Sequence, residues 1–79
     1  MAKILLGPGE TFEHTHEFES TTTLLQGTVE LSIGGAPFVA LTENVEMTIP
    51  SNTLHQMKNV GKAEATIGCG VCAPPKSVD

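Results

Sequence analysis

Turn-forming residues recur about every ten positions along this chain, and that spacing leaves room only for short strands. Gly7-Pro8-Gly9, Gly27, Gly34-Gly35, Glu43-Asn44, Pro50-Ser51-Asn52 and Asn59-Val60-Gly61 are the punctuation. Glycine and proline at such intervals stop a helix before it can propagate, and no window shows helical periodicity. The intervening runs are β-rich. Thr21-Thr22-Thr23-Leu24-Leu25 is β-branched and then apolar, and Val29, Leu31 and Ile33 alternate with Thr28, Glu30 and Ser32 in a period of two. Phe38 to Leu41, Val45 to Ile49, His55 to Asn59 and Ala65 to Val71 complete the set. In the last of these Ile67, Cys69 and Val71 share one face, and Pro74-Pro75 beyond it cannot donate to a ladder. Many short strands with regular turns predict an all-β sandwich or barrel of antiparallel strands.

At 79 residues the chain is expected to form a single domain over 1–79, with a core of thin stability. A hydrophobic content of 39% and a mean hydropathy of +0.05 fit a folded globular chain. A net charge of −5 with four lysines and no arginine argues against nucleic acid or an anionic membrane as partner. No apolar run approaches membrane-spanning length, and Ile4-Leu5-Leu6 is too short for a signal-peptide core. A cytoplasmic location is therefore expected, and two cysteines, Cys69 and Cys72, make no disulfide framework.

His14, His16 and His55 are the only histidines. On a strand, His14 and His16 would leave the same face, and His55 follows the turn-rich segment Pro50-Ser51-Asn52-Thr53-Leu54. Neutral imidazole is the commonest protein ligand for divalent transition metals, and three of them leave coordination positions open.

These pieces together resemble the cupin superfamily. Its first motif sets a glycine, an H-x-H pair, an acidic residue and a closing glycine in order; here it runs from Pro8-Gly9 through His14 and His16 to Gly27. Ser20 stands at the acidic position, and Gly9 lies one residue nearer His14 than the pattern asks. Its second motif is matched by Asn44, Pro50, Asn52, His55 and Asn59, with asparagine at both expected glycines. Asparagine is the residue that best tolerates left-handed backbone in glycine's place. The resemblance covers residues 8 to 75. It implies a double-stranded β-helix (jelly-roll) barrel with His14, His16 and His55 as ligands to a divalent transition metal (Fe, Zn, Ni or Mn).

The family's glutamate ligand is missing. Glu19 is one residue out of register and should face the other side of a strand, so Glu19 or Glu17 reaches an ion only if a bulge re-aims it. Ser20 is then a hydrogen bonder behind the site, with Thr22, Met57 and Asn59 as candidate pocket residues by parity with Ser20 and His55. The methionines and Phe12, Phe18 and Phe38 read as core, and Gln26 as a rim residue. Glu10, Glu13, Glu17 and Glu19 crowd the segment that carries the first two histidines and discourage anionic substrates. No arginine exists to clamp a carboxylate or phosphate, and no tyrosine to act as an acid.

The Cys69-Gly70-Val71-Cys72 run puts its sulfurs on opposite faces when extended, so both read as buried, inert thiols. Similar three-histidine cupins include thiol and diketone-cleaving dioxygenases. The resemblance therefore implies a metal-dependent enzyme, oxygenase-like or of an isomerase or lyase type, acting on a small neutral or thiol-bearing molecule, the alternative being a non-catalytic ligand-binding or sensory module. A homodimer is expected, with the Lys3 to Leu6 strand completing a sheet of its own chain or of a neighbouring copy.

Overall fold

The computed structural model describes residues 2–71, and these form eight strands without a helix. They are β1 (Ala2–Leu6), β2 (Thr11–His14), β3 (Ser20–Gln26), β4 (Val29–Ile33), β5 (Val39–Ala40), β6 (Glu46–Ile49), β7 (His55–Asn59) and β8 (Ala65–Val71). All named pairings are antiparallel, in two four-stranded sheets ordered β1-β8-β3-β6 and β2-β7-β4-β5. The chain passes from one sheet to the other at most of its turns, which is the jelly-roll architecture expected from the sequence. Cys72 and Pro74-Pro75 lie outside the described residues.

The turns form where the residue types permit them. Gly34 and Gly35 both take positive φ (63° and 80°), as a tight hairpin between β4 and β5 requires. Asn44 and Asn52 are the only non-glycine residues at positive φ (65° and 56°) among those described, so both asparagines do stand in for glycine. Gly27 has φ of 110°, and a Cβ placed there would lie 2.7 Å from the Cβ of Ala65. No side chain fits between β3 and β4 at this point.

Alternation sorts the side chains as read. Ser20, Thr22 and Leu24 of β3 and His55, Met57 and Asn59 of β7 are buried, while Gln56 and Lys58 point away. The apolar core gathers Leu6, Leu24, Val29, Leu31, Met57, Ala65 and Ile67. It fills the end of the barrel reached by the carboxyl half of β7, and His55 marks the other end.

Several expectations need correction. The Phe38 to Leu41 run pairs only at Val39–Ala40, and β6 begins at Glu46 rather than Val45. Phe12 packs against the core, but Phe18 and Phe38 are 38% and 42% exposed, because the first lies in a loop and the second beside a two-residue edge strand. The first strand needs no neighbouring copy, since β1 pairs with β8 of the same chain from Ala2↔Cys69 to Leu6↔Ala65. Gln26 ends β3 at the core end, far from the histidines.

Asn59 ties these pieces together. Its amide nitrogen donates to the carbonyls of Leu6 (2.8 Å) and Ala63 (2.9 Å), and its side-chain oxygen accepts from Gly61 N–H (2.8 Å). One buried side chain thus pins β1 and the β7–β8 turn to β7, at the opposite end of β7 from His55. Asn59 is a structural residue here, not a pocket residue. Asn59→Ala leaves three backbone groups without partners and should cost about 2–4 kcal/mol, read as a lowered denaturant midpoint.

Candidate metal centre

Cross-strand register brings the first and last histidines together. His14 pairs directly with His55 between β2 and β7, and His55 with Ile33 between β7 and β4. The next row inward is Phe12, Met57 and Leu31. The histidines are therefore the outermost row of an inward-facing column whose deeper members belong to the core. Phe12 stacks on His14 with ring centroids 5.6 Å apart and planes at 23°, which limits how far that exposed ring can swing.

His16 arrives by a different route from the one its spacing predicts. β2 ends at His14, so His16 sits beyond the strand and its placement does not come from pleat parity. Its backbone carbonyl instead accepts a 2.7 Å hydrogen bond from Asn52 N–H. The left-handed Asn52 aims that donor out of the β6–β7 turn, and Gly34 N–H donates to Leu54 O at 2.7 Å to brace the same turn. One turn thus sets both His16 and His55.

The three rings converge. Ring centroids are 4.1 Å apart for His14 and His16, 5.3 Å for His16 and His55, and 6.1 Å for His14 and His55. One nitrogen from each can be chosen so that all lie within 4.8 Å of one another. His14 Nδ1 and His16 Nε2 stand 3.0 Å apart, within hydrogen-bond distance. Two nitrogens bound about 2.1 Å from one ion sit roughly 3.0–3.4 Å apart, so this pair already has the spacing of neighbouring ligands. His55 is 3% exposed, and its Nδ1–H donates to Thr53 O at 3.3 Å. A carbonyl can only accept, which fixes the tautomer and leaves the Nε2 lone pair free to ligate. The donor set fits a divalent transition metal.

Burial lowers the pKa of the His16 imidazole below its ordinary 6.5, and the neighbouring His14 and His55 lower it further. His16 is thus kept neutral, the form that ligates. Glu17 and Glu19 are exposed and outside the convergent group, which among the described residues contains no carboxylate. Glu13 is occupied by Gln56, whose amide donates to it at 2.8 Å.

Ser20 is buried at the start of β3, on the sheet opposite His55. Two residues deeper, Thr22 Oγ1 donates across the barrel to Met57 Sδ (3.7 Å) and lies 4.0 Å from Cys69 Sγ. These contacts join the two sheets beneath the histidines. Burial raises the Cys69 thiol pKa, offset in part by the Thr22 hydroxyl, so Cys69 stays protonated and does not offer a thiolate. What the spacing of the histidines could not reveal is the Asn52 clamp. Its signal lay in an asparagine where the turn requires left-handed backbone.

Two outcomes are expected. Asn52→Ala, which disfavours the left-handed turn, should cost about 1–2 kcal/mol and weaken metal binding in calorimetric titration, whereas Asn52→Gly retains both. For pH, both folded and unfolded His16 are neutral well above 6.5. Below that value the unfolded chain takes the proton first, so it binds more protons and the metal-free fold loses stability as pH falls. Urea midpoints between neutral and mildly acid pH should show this decline, and it should be smaller in His16→Gln.

The arrangement has counterparts among known proteins. A family model described as "Cupin domain" matches residues 2–72. The cupin domain of Cnp3 from Schizosaccharomyces pombe is 15% identical with a TM-score of 0.79, over 91% of this chain and 53% of that one. A predicted oxalate decarboxylase from Thermotoga maritima is 19% identical with a TM-score of 0.78, over 91% and 64% respectively. A cupin domain from Bordetella pertussis is 20% identical with a TM-score of 0.69, over 90% and 78%. The chain thus spans about half to two thirds of the first two, and at these identities the likeness is one of fold. No curated protein matches the chain.

Proposed function

The chain belongs to the cupin domain family, and on that premise we propose that it is a metal-dependent enzyme, oxygenase-like, whose ion is held by His14, His16 and His55. The observation that carries this reading is the convergence of three imidazole nitrogens within 4.8 Å at the open end of the barrel. Three neutral donors leave the ion's full divalent charge on the site and coordination positions free. A bound ion of this kind supplies Lewis acidity toward a chelating substrate and, if it is iron, electrons for dioxygen chemistry.

The chain's own residues shape what can approach. His14 is exposed and His16 half-buried, so a small molecule reaches the ligands from solvent. Glu17 and Glu19, exposed on the loop that follows His16, repel anions and leave neutral or thiol-bearing molecules as the favoured class. No carboxylate stands in the convergent group, so proton transfer falls to water or to the substrate itself.

Elemental analysis of protein purified without added metal, followed by oxygen uptake with a panel of thiols and diketones, tests the reading. Near-stoichiometric metal with uptake supports it. Metal-free protein that gains no stability from added Fe, Zn, Ni or Mn would leave a ligand-binding module instead. His55→Ala should abolish metal binding with the fold retained by circular dichroism, since the core lies at the other end of the barrel. Stoichiometric metal in that variant would remove His55 from the site.

A further inference from the structure

The registers order the inward side chains of the two sheets into levels. On β3 and β6, Thr22 stands level with Met47, and Ser20 with Ile49. On β2, β7 and β4, Phe12, Met57 and Leu31 share one level, and His14, His55 and Ile33 the next. The hydrogen bond from Thr22 Oγ1 to Met57 Sδ (3.7 Å) joins the deeper levels of the two sheets. Leu24 on β3 and Val29 at the level of Asn59 both belong to the core cluster, so β3 and β7 leave that cluster in the same direction. One level outward, Ser20 and Ile49 therefore face His55 and Ile33.

Ser20 is the only polar side chain that its sheet brings to this level, since its register partners are Ile49 and Val71. It is 3% exposed. Among the described residues its hydroxyl has no hydrogen-bond partner, whereas the buried Ser32 hydroxyl donates to Ala36 O at 2.6 Å and that of Thr22 to Met57. A buried hydroxyl left without a partner is costly, so such groups mark a place where something else binds. Ile49 beside it is buried too, yet stands outside the core cluster.

We propose that Ser20 is a specificity-determining residue: its hydroxyl hydrogen-bonds a polar group of a small ligand whose other end is held by the ion on His14, His16 and His55. The inference rests on the metal reading above. Packed sheets stand about 10 Å apart, and a serine side chain crosses little of that distance. Ser20 thus meets the ligand rather than the ion. A hydroxyl both donates and accepts and carries no charge, so it suits a hydroxyl, carbonyl or amide on the ligand. Ile33 and Ile49 offer apolar contact to the carbons between the two ends. The class is a short thiol, or a similar ion-binding molecule, with a neutral hydrogen-bonding group a few bonds from the ligating atom. A hydrocarbon analogue is discriminated against because it displaces water from Ser20 and leaves the hydroxyl unpaired.

Two thiols of nearly equal size, 2-mercaptoethanol and 1-propanethiol, test this on the cobalt(II)-loaded chain without oxygen. Cobalt(II) alone should bind once per chain, and with equal affinity in Ser20→Ala, which also shows that the variant is folded. Each thiol is then titrated and followed by the thiolate-to-cobalt absorption. Ser20→Ala should weaken 2-mercaptoethanol relative to 1-propanethiol roughly tenfold; comparing two proteins cancels the intrinsic difference between the thiols. Thr22→Val, one level deeper, should keep the preference of the unmodified chain. Failure of the unmodified chain to take up cobalt overturns the metal reading and this one with it. Uptake with the same preference in both proteins overturns the role of Ser20 alone. Weaker cobalt binding in Ser20→Ala, or an equal loss of preference in Thr22→Val, overturns it as well.

Discussion

The pairing of β2 with β7 is the contact on which the site depends. Register in that ladder sets His14 opposite His55, and Phe12 opposite Met57. A slip of β2 by one residue would turn His14 outward, away from His55, and Phe12 away from the core. The register is held by more than its own ladder. Gly9 N–H donates to Asn59 O and Asn59 N–H to Glu10 O at 3.0 Å each, extending the pairing past the strand end. Asn59 then anchors that end to β1 and to the β7–β8 turn. The positions of two imidazoles are in this sense fixed by an amide at the far end of the same strand.

Much of this was legible in the residues, and the remainder failed for identifiable reasons. Period-two alternation in β3, β4 and β7 gave the inward faces, since a half-buried strand favours that pattern. Asn44 and Asn52 declared their turns because few other side chains accept left-handed backbone. Parity misled at His16, where β2 had already ended and a hydrogen bond from a distant turn took over. It misled again at Asn59, whose inward direction was right but whose amide is spent on backbone groups. Phe18 and Phe38 show the limit of hydrophobicity alone: a large apolar side chain on a loop or a two-residue edge strand has no facing layer to enter. The cis pairing of β1 with β8 is a long-range contact that no local pattern encodes.

The chemistry of the site follows from what surrounds the histidines as much as from the histidines. Desolvation and two neighbouring imidazoles lower the pKa of His16 and so favour the neutral form that ligates. Beneath it Thr22, Met57 and Cys69 meet across the barrel with one hydroxyl and two sulfurs. Among the described residues no carboxylate joins the convergent group, and the nearby acidic side chains of Glu17 and Glu19 are exposed.

The apolar cluster occupies one end of the barrel and the imidazoles the other, with a four-residue step along β7 between His55 and Asn59. Folding and reactivity therefore draw on largely separate residues in a very short chain. Substitutions in the loops around Glu17 and Ser51 can alter what the mouth admits while the cluster of Leu24, Val29 and Ile67 remains untouched. Such a division relaxes the usual trade-off between stability and activity. It makes so small a barrel a tolerant starting point for evolving new ligand preferences.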